Sequence, residues 1–177
     1  VIFHLYLYIL AVLFIFPFSI IHYMTIQDNF RTAMRNYIYS VSVMSMMDTD
    51  GTPYAITVSS VTSISMEPPS LLVCINKSAR VHDSIKEGSD LCINLLTKDQ
   101  EEISNTCSSE SQFDKRFDDK NWNMQNIPYL ENAQANIFCK VDKLISYHTH
   151  SIVIAHVLDA SSKESMNTLV YANGKYA

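Results

Sequence analysis

Three stretches hold the residues whose types and spacing could do chemistry. Thr57-Val58-Ser59-Ser60-Val61-Thr62-Ser63-Ile64-Ser65 is a run of short hydroxyls on a β-branched background. Hydroxyls and the backbone N–H groups between them fit closely against the polar rim of a flat aromatic ligand, provided an apolar slot holds its faces. The same composition also suits a strand that merely faces solvent. Asn76-Lys77-Ser78-Ala79-Arg80 stands before an expected helix. Free N–H groups at a helix start, with two cations beside them, favour an anion such as a phosphate. An ordinary N-cap with surface charges has the same composition.

The third stretch is Tyr147-His148-Thr149-His150-Ser151-Ile152-Val153-Ile154-Ala155-His156. On a strand, His148, His150 and His156 would share one face, because side chains alternate with period two. Two histidines at i and i+2 can ligate a metal. No carboxylate or cysteine lies close in sequence to His148 and His150 to complete a site, and His156 would lie about 26 Å from His148 along an extended chain. No metal is therefore expected.

Composition removes several function classes. Of 177 residues, 47% are hydrophobic and 18% charged, which suits one globular domain with one core. A net charge of −5 with no Lys/Arg cluster argues against a nucleic-acid partner, since phosphate neutralisation needs grouped cations. The only glycines are Gly51, Gly88 and Gly174. Dinucleotide-binding and P-loop turns need clustered glycines for close backbone approach, so both are excluded. Cys74, Cys92, Cys107 and Cys139 form no C-x-x-C pair, which argues against zinc and thioredoxin-like chemistry. Cys74 and Cys139 lie in apolar runs and read as buried thiols in a reducing compartment.

The elements that must position these stretches read mostly as strands. Phe30, Ala33, Met34 and Tyr37 fall at helical spacing. Ser40 to Val43 alternates polar and apolar, Asp48-Thr49-Asp50-Gly51 is a turn, and Tyr54 to Val61 is extended, which together predict a hairpin. After Pro68-Pro69, Leu71 to Ile75 reads as a central strand. Ser78 is expected to cap a helix running to about Glu87, stopped by Gly88. Leu91 to Leu96 predicts a strand, Lys98 to Cys107 a helix, and Asp114 to Asn126 a long loop. Strands near Ala135 to Val141, His150 to Leu158 and Tyr171 complete the domain. Many strands with few helices predict an antiparallel barrel with added helices.

Residues 1–23 are apolar, without Lys, Arg, Asp or Glu, and long enough to cross a bilayer. They lack the basic start and small-residue cleavage site of a signal peptide. As a membrane helix they would leave the domain on the cytoplasmic side, because Arg31 and Arg35 follow. Pro17 in mid-segment and Met24 at the start of ordinary soluble character favour translated upstream sequence instead. The working domain is therefore expected over 24–177, in the cytoplasm, with membrane tethering as the alternative.

The segment from Thr57 to Pro69 closely resembles the T-x-S-S-x-x-S-x-S-x-x-P-P signature of flavin reductase-like proteins. Phe30-Arg31-x-Ala33-Met34, Val41-x-Val43 to Asp50-Gly51, Asn94-Leu95-Leu96, Gln100, Arg116-Phe117, Trp122 and Pro128-Tyr129-Leu130 follow in the family's order. Tyr171-Ala172-Asn173-Gly174-Lys175-Tyr176 is similar to its Y-x-x-G-x-Y ending. The resemblance covers about Ile26 to Tyr176. It implies a mainly β, Greek-key antiparallel split barrel that binds FMN, with FAD as the alternative, and takes hydride from NADH or NADPH. By resemblance, Thr57, Val58, Ser59, Ser60 and Ser63 hold the flavin ring and ribityl chain. Asn76, Lys77, Ser78 and Arg80 surround its phosphate, and His150 and Tyr176 lie near the nicotinamide. A homodimer and a monooxygenase partner are likewise implied. The family's Gly-Asp-His triplet is His148-Thr149-His150 here, and Ala155 replaces a later glycine, which puts the orientation of His150 in question. No acid, base or nucleophile is needed, because the cofactors carry the redox chemistry. A protein relaying electrons through permanently held FMN, or a non-redox flavin-binding module, are the competing readings.

Overall fold

The computed structural model describes residues 24–177, so the apolar leader of residues 1–23 lies outside the described residues. Compact contacts divide the chain after Met34. Before that division, α1 (Ile26–Met34) is a short helix with no buried residue. Its start is a reciprocal cap: Thr25 Oγ1 accepts from the Asp28 amide at 3.1 Å, and Asp28 Oδ2 accepts from the Thr25 amide at 3.1 Å. The helix stops at Met34, so Tyr37 falls beyond it in a turn.

Residues 35–177 form the β unit. Seven strands make one antiparallel sheet in the order β3-β2-β6-β9-β10-β5-β4. These are β2 (Ser42–Met47), β3 (Pro53–Val58), β4 (Thr62–Met66), β5 (Pro69–Asn76), β6 (Asp90–Leu95), β9 (Ala135–Tyr147) and β10 (His150–Ser162). A second sheet joins β1 (Ile38–Ser40), β11 (Val170–Ala172) and β12 (Lys175–Tyr176), and β7 (Trp122–Asn123) pairs with β8 (Tyr129–Leu130). The expected hairpin is β2–β3. Asp48 Oδ1 closes its turn by accepting from the amides of Asp50 (2.9 Å) and Thr52 (2.8 Å), and Gly51 takes φ +81°.

β3 and β4 are the two edges of the large sheet, yet only residues 59–61 separate them. Laid flat, seven strands would hold those edges about 29 Å apart, whereas the connection spans at most about 15 Å. The sheet therefore curls. Ser60 shows the contact: its Oγ accepts from the Cys74 amide of β5 at 2.9 Å, continuing the Thr62↔Leu72 register with a side chain in place of a strand backbone.

Alternation divides the apolar residues between two cores. Leu71, Val73 and Ile75, Leu91 and Ile93, Val153 and Ala155, and Met44 and Met46 point to one face and pack together. Val43 and Ala55 point to the other face, where Leu96, Cys107, Trp122, Leu130 and Leu169 cover them. Helix α2 (Glu101–Ser108) lies on this second side, with Ser104 and Cys107 buried. Each fully buried aliphatic side chain contributes roughly 1.5–3 kcal/mol.

Three expectations need correction. No helix runs from Ser78 to Glu87; a turn at Asn76–Ala79 leads into a single 3-10 turn, His82–Ser84. Asn76 Oδ1 accepts from both the amide (2.9 Å) and the hydroxyl (3.0 Å) of Ser78, which satisfies locally the N–H group a helix start would leave open. Val81 and Ile85 are nonetheless buried, so their helix-like spacing reports burial rather than helix. The region called a loop from Asp114 contains the end of a 3-10 segment (Glu110–Lys115) and the strand β7. Cys139 is buried as expected, whereas Cys74 is only partly so.

Candidate flavin site

Helix α2 and the C-terminal hairpin β11–β12 flank the end of β3. Between them opens a cleft of about 630 Å³ lined by Val41, Thr57, Val58, Ser59, Tyr171 and Tyr176, together with Glu101, Asn105 and Ser108 of α2. Two tyrosine rings and valine side chains supply apolar walls; the Ser59 hydroxyl is exposed beside them. A seam of hydrogen bonds fixes the cleft. Thr57 Oγ1 donates to the Ser104 carbonyl at 2.6 Å, and the Ser104 hydroxyl meets the Tyr176 hydroxyl at 2.8 Å. Tyr171 and Tyr176 pack edge to face at 5.2 Å. A larger polar depression of about 700 Å³ lies on the opposite side of α2, against Thr106, Arg116 and Lys163, and contains none of the expected site residues.

The turn Asn76–Arg80 does not line the cleft; Ser60 joins the two places. It follows Ser59 directly, and its hydroxyl holds Cys74, two residues before Asn76. Ser63 stands exposed on β4, opposite Leu71. In the turn, Lys77 Nζ donates to Ser146 Oγ at 2.7 Å and the Lys77 amide donates to the Thr149 carbonyl at 2.9 Å. These bonds tie the turn to the β9–β10 hairpin, where His150 pairs with Asn76. Arg80 is 56% exposed; its Nε lies 3.1 Å from Glu110 Oε2, and its guanidinium stacks 4.5 Å from the Phe113 ring centre.

His150 lies outside the cleft that holds Tyr176. Thr149 Oγ1 is 2.9 Å from His150 Nδ1. His148 does not share a strand face with it, as alternation suggested: β10 begins at His150, and His148 sits in the hairpin turn with φ +46°, a left-handed conformation that glycine adopts most easily. His156 is further separated by the irregularity between Ile154 and Ala155, and its Nε2 lies 3.6 Å from Asp142 Oδ1. Among the described residues no three His, Cys, Asp or Glu side chains gather as a metal site would require.

Ser104, Glu110 and Phe113 were not foreseen. Nothing local marks them, because each acts through a partner distant in sequence: Tyr176 for Ser104, and Arg80 for the other two. The cleft's volume falls in the range of about 300–1,000 Å³ typical of cofactor sites, and its aromatic walls and small hydroxyls fit a flavin.

Comparison with known proteins agrees. The chain is 36% identical over 152 residues to the reductase component of FADH(2)-dependent resorcinol hydroxylase from Rhizobium sp. strain MTP-10005, covering 84% of this chain and 85% of that one. It is 34% identical over 149 residues to the FMN reductase (NADH) RutF of Pseudomonas syringae pv. syringae, covering 83% of each. The solved flavin reductase of styrene monooxygenase from Pseudomonas putida S12 superposes with a TM-score of 0.75 at 28% identity, over 84% of this chain and 96% of that one. With residues 34–177 matching the family model described as the flavin reductase like domain, this chain belongs to that family.

Proposed function

We propose that the protein is a flavin reductase that passes a hydride from NADH or NADPH to FMN, with FAD as the alternative, and releases reduced flavin to a separate monooxygenase. The observation that carries this reading is the cleft that gathers Thr57, Val58 and Ser59 of the family signature with Tyr176 of its C-terminal motif. The relatives named above include an NADH-dependent FMN reductase and reductase components of oxygenases, and both point the same way.

Flavin, when bound, supplies the hydride-accepting ring, so the protein contributes binding and geometry. Thr57, Val58, Ser59, Ser60 and Ser63 take the ring and ribityl chain. Thr57 and Ser60 each use their hydroxyl on the protein, so they offer remaining lone pairs and backbone groups, whereas Ser59 keeps a free hydroxyl among the described residues. Asn76, Lys77, Ser78 and Arg80 take the phosphate, with Arg80 as the charged arm. His150 and Tyr176 position the nicotinamide, whose close stacking on the flavin is what hydride transfer requires.

We read the curled sheet as the family's split barrel with Greek-key connections. Ile64, Met66, Ile145, Tyr147 and Leu158 stay exposed on β4, β9 and β10, which supports a homodimer that would cover them. The cysteines of the described chain are unpaired, in keeping with a reducing, cytoplasmic setting. No described helix is long and apolar enough to cross a membrane.

The test is direct. The purified protein is titrated with FMN by flavin fluorescence, then assayed for NADH and NADPH oxidation with added FMN. Micromolar or tighter binding and flavin-dependent oxidation are expected; no fluorescence change well above micromolar would end the proposal.

A further inference from the structure

Around Arg80 the structure builds more than a phosphate arm. Glu110 bridges two arginines. Its Oε2 lies 3.1 Å from Arg80 Nε and its Oε1 lies 3.4 Å from Arg116 Nη2. The two arginines differ sharply in surroundings. The Arg116 side chain is 2% exposed and anchored by main-chain carbonyls, with Nη1 donating to Ala55 at 2.7 Å and Nη2 to Ser109 at 3.1 Å. The Arg80 side chain is 56% exposed. Both guanidinium groups lie over the Phe113 ring, with the Arg80 and Arg116 guanidinium carbons 4.5 Å and 5.0 Å from its centre. Glu110 thus pairs on one side with a buried cation and presents its second oxygen to one that is half exposed.

We propose that Glu110 is an internal competitor of the flavin phosphate for Arg80, and so a residue that sets how readily phosphorylated flavin exchanges. The proposal rests on the reading of Arg80 as the phosphate arm. A guanidinium forms its strongest pairs with carboxylates and phosphates through the same N–H groups. With Nε turned to Glu110, an arriving phosphate must either displace that carboxylate or bind beside a negative charge. Both routes weaken phosphate binding and neither affects the ring. A reductase that hands reduced flavin to another protein works only if the flavin leaves, and affinity differences within one site are set mainly by dissociation rates. The Glu110 carboxylate supplies that weakening at the one end of the ligand that carries charge.

Because both partners are about half exposed, the effect is that of a screened ion pair, at most about 1 kcal/mol, which corresponds to roughly two- to fivefold in affinity. The experiment uses the full chain and compares FMN with riboflavin, which lacks the phosphate. Glu110→Gln should tighten FMN about two- to fivefold, slow FMN dissociation in stopped flow by a similar factor, and leave riboflavin unchanged. Glu110→Asp keeps a carboxylate for Arg116 while drawing it back from Arg80, and should act in the same direction if the glutamine variant does not fold. In an Arg80→Ala background the Glu110 substitution should no longer alter the FMN-to-riboflavin ratio. Weaker FMN binding in either variant would make Glu110 a positioner of Arg80 and overturn the proposal, as would equal changes for both flavins. If Arg80→Ala alone leaves the ratio unchanged, the phosphate reading itself fails and this proposal falls with it.

Discussion

The Thr149 hydroxyl lies 2.9 Å from Nδ1 of His150, so the position where the family has aspartate still contacts the histidine ring. A hydroxyl can donate to or accept from that nitrogen, which orients the imidazole and leaves Nε2 for a ligand. What it does not bring is a negative charge. The orientation of His150, in question from sequence, therefore has a local physical basis.

Thr149→Val removes the hydroxyl while keeping the shape of the side chain. Stopped-flow reduction of bound flavin by NADH or NADPH should slow, and His150→Ala should slow it at least as much. FMN titrations of both variants should stay close to the parent. Since the two residues act as one unit, the double variant should be no slower than His150→Ala alone. Unchanged reduction rates at saturating and subsaturating nicotinamide would remove both residues from the site.

Arg80→Ala should weaken FMN by roughly three- to tenfold and riboflavin hardly at all. The loss falls below the roughly 1.5–3 kcal/mol of a charge-assisted bond, because the side chain is half exposed and already paired with Glu110. Parallel fluorescence titrations with the two flavins measure it. Equal losses would show that Arg80 does not meet the phosphate.

Part of the candidate site was legible in the sequence because its residues are contiguous: Thr57, Val58 and Ser59 line the cleft, whereas the Asn76–Arg80 turn and His150 do not. The hydroxyl run beside β3 and the Asn76–Arg80 turn are contiguous; the extended run from Tyr54 and the apolar run over Leu71 to Ile75 marked β3 and β5, although β3 ends at Val58 rather than Val61. The helix expected after Ser78 failed because Asn76 satisfies the Ser78 amide itself, while Val81 and Ile85 are buried by tertiary packing. Non-local pairings stayed hidden. Ser104 gains its meaning from Thr57 and Tyr176, both distant in sequence, and Glu110 from Arg80 and Arg116.

Alkali should destabilise the fold through its thiols. Burial pushes Cys107 and Cys139 up to about 12 and raises Cys92 further, with neighbouring Cys139 adding to the shift at Cys92. In the unfolded chain these thiols ionise near 9.0. Above that pH the unfolded state binds fewer protons than the folded one, so stability falls as pH rises; below it the thiols contribute no pH dependence. The loss should be on the order of 1 kcal/mol per thiol between about pH 9 and pH 10. Urea midpoints across that interval test this, and the same three thiols should resist thiol reagents until the protein unfolds.

Tyr176→Phe probes the seam that shapes the cleft. The Tyr176 hydroxyl meets the Ser104 hydroxyl at 2.8 Å, and Ser104 is fully buried. The phenylalanine ring would keep the packing against Tyr171, so the variant isolates the hydrogen bond from the ring. Its loss leaves a buried hydroxyl short of a partner, which costs about 1–2 kcal/mol. For a chain of this size the melting temperature should drop by roughly 2–8 °C. Ser104→Ala removes the other partner and should cost a similar amount, and the double variant should cost less than the two singles added, because each breaks the same bond. Function should follow the ring rather than the hydroxyl. Tyr176→Phe should reduce flavin at a rate near the parent's, while Tyr176→Ala, which removes a wall of the cleft, should raise the nicotinamide concentration needed for half-maximal reduction. If the alanine variant reduces flavin with unchanged nicotinamide dependence, Tyr176 is a structural tether of β12 to α2 and takes no part in holding the nicotinamide.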